Sequence, residues 1–137
     1  MNHITFHVKR SLKLPAIHSF FLRSMENKAI KRILIEYVDQ LLAPLGDHLK
    51  VVSWFGSTAR GKATEDSDID VLVLTDTEER SLRDTAFDIS ADISLTHDCV
   101  ISVLFMSQAR YSRMVKAGRL LARNIESDGI RLWQRTE

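Results

Sequence analysis

From Met25 onward apolar residues recur every third or fourth position, with Ile30, Ile33, Leu34, Tyr37, Val38, Leu41 and Leu45 forming one stripe. That spacing predicts an amphipathic helix, brought to an end by Pro44 and Gly46. The period then shortens. Leu49 to Phe55 is rich in β-forming residues and stops at Gly56, while Ile69 to Leu74 is an unbroken apolar run too short for a helix face. Both read as strands, the second of them buried. Leu82, Ala86, Ile89 and Ile93 restore a helical stripe over 78–96, with Phe87 at its edge. A third strand is predicted from Val100 to Met106, and Ser107 suits the cap of a further short helix reaching about Gly118. Leu120 to Trp133 reads as a helical turn closed near Gly129 and a short extended piece. The order helix, strand, strand, helix, strand, helix predicts an α/β fold.

The 137 residues suit one domain, and 45% hydrophobic with 27% charged residues is enough to build a core. No apolar run approaches the 18 to 20 residues that a membrane helix needs. A net charge of +1 leaves no global basic field for duplex nucleic acid held without sequence preference. The charge is uneven. Residues 1–24 hold Lys9, Arg10, Lys13 and Arg23 against no acid, so the remainder carries about −3. We therefore expect a basic N-terminal arm or extension over 1–24, in which Ile4, Phe6 and Val8 alternate like a short strand, and a domain over 25–137. A single cysteine, Cys99, excludes an internal disulfide, and a reducing, cytoplasmic setting is the expectation.

Candidate chemistry concentrates in Trp54-Phe55-Gly56-Ser57-Thr58-Ala59-Arg60-Gly61 and Ser67-Asp68-Ile69-Asp70-Val71-Leu72-Val73. Gly56 allows a sharp turn out of a strand, and Ser57 opens a short helix whose first N–H groups lack internal partners. Such a helix start suits a phosphate, with the Ser57 hydroxyl as a further donor. Asp68 and Asp70, two apart at the beginning of a strand, send both carboxylates from one face with Cα atoms about 6.5–7 Å apart. Two like charges so placed call for a cation, and Mg2+ takes carboxylate, phosphate and water oxygens together. For turn and carboxylates to share a site, the first two strands must run antiparallel; a connection of about eleven residues permits that, and its length alone also leaves a parallel crossover open. The helix over 78–96 then makes a right-handed crossover to a third strand parallel to the second.

Gly-Ser, ten intervening residues and Asp-x-Asp resembles the nucleotidyltransferase superfamily that includes DNA polymerase β, particularly its minimal single-domain members. The resemblance covers about residues 28–133, with Ile101-Ser102-Val103, Arg123-Asn124-Ile125 and Asp128-Gly129-Ile130 similar to the weaker tail pattern. It implies the nucleotidyltransferase fold, a small mixed sheet flanked by helices. It further implies that Gly56 and Ser57 hold nucleotide phosphates and that Asp68 and Asp70 bind Mg2+ as catalytic residues. The reaction joins an acceptor hydroxyl to the α-phosphate of a nucleoside triphosphate, with ATP the first choice. Arg60 either supports the phosphates or pins the loop. Small relatives often act as antitoxins beside a helical HEPN-type toxin, some by attaching AMP to it. Active members usually add a third carboxylate from the next core strand, where this chain offers Val100 and Ser102, with Asp98 just before. The alternative is a catalytically weakened module that neutralises a partner by binding.

Other groups read more plainly. Asp84, Asp88 and Asp92 form an acidic row on a solvated helix face, and Trp54, Phe55, Phe87 and Phe105 are core candidates. His97, Asp98 and Cys99 lack the further ligands that a metal cluster needs. His3, His7 and His18 are too scattered to assign.

Overall fold

The computed structural model describes residues 16–64 and 66–136, with side chains from residue 26. The first helix, α1, runs from Ala16 to Leu45 and contains Pro44 in its last turn. Gly46 leaves it at φ +55, and a short 3-10 turn over Gly46–His48 leads into the sheet. The helix thus starts well before the regular stripe. Among the residues whose side chains are described, the first buried one in α1 is Ile30. The arm expected over 1–24 lies outside the described residues up to position 15, as do Ile4, Phe6 and Val8. The rest of it forms the first turns of α1.

The remaining elements are β1 (Leu49–Phe55), α2 (Gly56–Ala59), β2 (Ile69–Thr75), α3 (Arg80–His97), β3 (Ile101–Ser107), α4 (Gln108–Lys116), α5 (Leu120–Asp128) and β4 (Ile130–Gln134). The sheet order is β3-β2-β1-β4. β1 and β2 are antiparallel, β2 and β3 parallel through α3, as the shared site required. The extended tail piece is a full edge strand, antiparallel to β1. That pairing had no signature in the residues of β4, whose positions are half-buried or exposed.

Alternation divides the sheet into two faces. Ile69, Val71 and Val73 of β2, with Ile101 and Phe105 of β3, join the stripes of α1 and α3 in the larger core. Leu72 and Leu74, with Val51 and Met106, meet Tyr111, Ala122 and Ile125 of α4 and α5 on the other face. Each fully buried Leu or Ile contributes about 1.5–3 kcal/mol, so the larger core dominates stability. Tyr37 has no exposed surface, and its hydroxyl donates to the Ala86 carbonyl at 2.9 Å, tying α1 to α3 across that core. At the end of α3, His97 Nε2 and Glu36 Oε1 stand 3.0 Å apart, so His97 links helices. On the second face Ser107 caps α4 by accepting from the Arg110 N–H, as its position in the chain predicted.

Candidate active site at the β1–α2 turn

Phe55 leaves β1 extended, and Gly56 turns the chain at φ +80, a conformation that glycine adopts without penalty. Space demands glycine there as well. A Cβ built at Gly56 would collide with Oδ2 of Asp70, so the turn and that carboxylate are in direct apposition. The cause is register: Asp70 pairs with Phe55 across the antiparallel ladder, one residue before the turn. Trp54 Nε1 donates to Thr58 Oγ1 at 2.8 Å, and both side chains are buried, fastening α2 to the end of β1. The turn closes through the N–H groups of Arg60, Gly61 and Lys62, which donate to the carbonyls of Gly56, Thr58 and Ser57. Ser57 stands at the start of α2, half-exposed, with its carbonyl accepting from the Lys62 N–H.

Asp70 shares the face of Leu72 and Leu74, and Asp68 lies two residues earlier, exposed. Neither carboxylate makes a hydrogen bond or ion pair among the described residues. Burial raises the Asp70 carboxyl above its ordinary range, the charge of Asp68 raises it further, and the Arg60 guanidinium opposes both. The pair is thus held with its negative charge under-compensated. Arg60 Nη1 also comes within 4.0 Å of Oδ2 of Asp128, at the end of α5. Both groups are about two-fifths exposed, so this contact orients more than it stabilises.

Of the two candidates for a third position, Ser102 is the one in register with Asp70 on the neighbouring strand. Asp98 stands outside β3, as the left-handed cap of α3 at φ 52, with its N–H donating to Ser94. Its neighbour Cys99 is half-buried, and burial with the nearby Asp98 charge pushes that thiol up to about 11. Among the described residues no group of three or more His, Cys, Asp or Glu side chains is arranged to hold a metal ion. Two carboxylates at the turn could hold a hard cation whose other oxygens come from substrate and water. Sequence reasoning named Gly56, Ser57, Arg60, Asp68, Asp70, Ser102 and Asp98; the fold sets the Gly56-Ser57 turn against Asp70, brings the charges of Asp68 and Arg60 to that carboxyl and puts Ser102 in register beside it, and it leaves Asp98 outside β3. That reasoning missed the supporting roles of Thr58 and Asp128. The Trp54-x-x-x-Thr58 spacing carried a signal for the first, whereas Asp128 depends on where α5 lands.

A mixed sheet with a glycine turn facing an Asp-x-Asp strand is the arrangement that the resemblance to nucleotidyltransferases implied. The chain matches the nucleotidyltransferase domain over residues 31–130 and belongs to that family. It is 32% identical over 90 residues to MJ0604 of Methanocaldococcus jannaschii, a candidate protein adenylyltransferase, covering 66% of this chain and 82% of the relative. A solved Sulfolobus solfataricus structure, described as a candidate nucleotidyltransferase, superposes with a TM-score of 0.53 at 18% identity, covering 92% of this chain and 93% of the other. A toxin–antitoxin structure with AMP-PNP superposes with a TM-score of 0.51 at 21% identity, covering 74% of each chain. At these identities the two structures speak to the fold. Among the described residues no helix is long and apolar enough to cross a membrane.

Proposed function

We propose that the chain transfers a nucleoside monophosphate, AMP in the first instance, from a nucleoside triphosphate to an acceptor hydroxyl on a protein partner. The observation that carries this reading is the apposition of the Asp70 carboxylate to the Gly56 turn, with Asp68 beside it. Gly56 and Ser57 supply amide and hydroxyl donors to the terminal phosphates, and Arg60 adds positive charge at the same edge. In the reaction, the acceptor oxygen bonds to the α-phosphorus as the bond to the bridging oxygen breaks and pyrophosphate leaves. Positioning and charge neutralisation supply most of the catalysis in such transfers. Asp68 and Asp70 would hold Mg2+, which when bound neutralises charge on the phosphates.

The adenylyltransferase relative supports the choice of ATP and of a protein acceptor. The toxin–antitoxin neighbour with AMP-PNP, together with the resemblance to minimal antitoxins, supports a HEPN-type toxin as partner. The test is incubation with ATP labelled at the α-phosphate, Mg2+ and a HEPN-type protein. Label on the partner, lost in Asp68→Asn, is expected. Nucleotide binding with no transfer under any metal condition would reject the transfer.

A second reading, neutralisation by binding alone, is favoured by one observation: Ser102 occupies the register position beside Asp70 and brings no charge. Ser102→Asp separates the two. If transfer is the function, the variant keeps or gains turnover; if the site is only a binding surface, toxin neutralisation survives Asp68→Asn unchanged.

A further inference from the structure

The hairpin of α4 and α5 differs from the rest of the surface. Between Gln108 and Ile125 the chain has no acidic residue, and it carries Arg110, Arg113, Lys116, Arg119 and Arg123. Arg110 is engaged, its Nη1 donating to Glu78 Oε1 at 3.1 Å. The other four have no ion-pair partner among the described residues. Three apolar side chains stand exposed among them: Leu120 at 70%, Leu121 at 39% and Val115 at 38%. Val115 and Lys116 also border a groove lined by Val51, Leu74, Arg131, Gln134 and Glu126, whose carboxylate accepts from the Tyr111 hydroxyl. Exposed leucines within a field of unpaired cations are costly for a free surface and useful for a buried one.

We infer that this hairpin docks a protein partner, through a segment of that partner whose face sets leucine-like side chains among carboxylates. The charge identifies the complement as acidic. The apolar residues identify it as protein: they gain nothing from a phosphodiester backbone, and the exposed side chains of the hairpin include no aromatic on which a base could stack. The inference deepens the reading above by placing the partner. α5 has nine residues and is about 13.5 Å long, with the basic and apolar patch at its first turn and Asp128, beside Arg60, at its last. A partner seated on the hairpin therefore lies about one short helix away from the Gly56 turn.

The test uses the full chain and three probes: a synthetic amphipathic helical peptide with leucine and glutamate on one face, a single-stranded RNA oligonucleotide, and vesicles of phosphatidylserine with phosphatidylcholine. Binding of the peptide is expected, weakened about tenfold or more both by Arg119→Glu with Arg123→Glu and by Leu120→Ser with Leu121→Ser. These exposed positions leave the melting temperature near that of the wild type. Preference for RNA or vesicles, peptide binding indifferent to the leucine pair, or no peptide binding would each overturn the inference. An ATP-dependent thermal shift measured alongside separates the two readings. If the shift persists in both variants while the peptide is lost, docking and nucleotide binding are distinct surfaces. If the wild-type chain binds peptide but shows no shift, the nucleotide reading fails and the docking surface stands.

Discussion

The two ends of β2 both carry acids, and they treat them in opposite ways. Beyond the C-terminal end, Oδ1 of Asp76 lies 2.8 Å from Nδ1 of His48, and Glu78 accepts from the N–H and hydroxyl of Ser107 and from Arg110, each at 3.1 Å. The hydrogen bond with His48 holds Asp76 below its ordinary range, and the Ser107 N–H does the same for Glu78. At the N-terminal end Asp70 is raised by burial and by Asp68, and no donor meets either carboxylate among the described residues. Structural acids are satisfied by the protein. Acids held close together and left unsatisfied are poised for a ligand that brings its own positive charge.

The strongest way to break this contrast is to neutralise the unsatisfied pair. Asp68→Asn with Asp70→Asn is expected to lower nucleotidyl transfer by about 10^2–10^3-fold or more, the range for removing one preorganised charge-stabilising group. Without metal the same variant should melt higher than the wild type, because repulsion and desolvation are relieved. A lower melting point in calorimetry would show that the carboxylates are structural after all.

Glycine substitutions sharpen the contrast next. Gly46→Ala pays only for a left-handed backbone, since its Cβ would meet nothing within 4 Å, and should cost about 1 kcal/mol. Gly56→Ala combines the same backbone cost with a collision against Asp70, and should cost about 2–3 kcal/mol in denaturant unfolding. It should also impair the metal-dependent ATP thermal shift, which Gly46→Ala should leave intact. Equal effects of the two substitutions would deny the apposition of turn and carboxylate.

The smallest effect is in pH dependence, and its sign differs between the ends. A carboxyl raised in the folded state binds its proton more tightly there than in the unfolded chain. Asp70 therefore adds stability at low pH that is lost as pH rises through its raised value. A lowered carboxyl does the reverse, so Asp76 adds stability above the ordinary aspartate range that is lost as pH falls through its folded value. At neutral pH and without metal, Asp70→Asn should be more stable than the wild type and Asp76→Asn less so. Both gaps should close in acid, and melting curves across pH would show gaps of one sign if the contrast is wrong.

Much of this was legible in the residues because the signals are local. Strand alternation, the helical stripes of α1 and α3, the Ser107 cap and the Gly-Ser and Asp-x-Asp pair each report on neighbours within a few positions. The antiparallel pairing of β1 and β2 followed from requiring the turn and carboxylates to meet. The start of α1 at Ala16 escaped because the regular apolar stripe begins only after Met25, while a helix, once nucleated, propagates through residues that carry no such stripe. β4 escaped because an edge strand packs one face loosely and leaves a weak pattern.

Sequence alone singled out the candidate residues, since a glycine turn, a serine hydroxyl and paired carboxylates are properties of residue type and spacing. Tertiary structure decided what those residues face. It set Ser102 rather than Asp98 beside Asp70, brought Asp128 to Arg60, and gathered the unpaired cations and exposed leucines of α4 and α5 onto one hairpin. Those outcomes depend on strand register and helix placement across tens of residues. They are fixed by burying two cores at once, which no local pattern records.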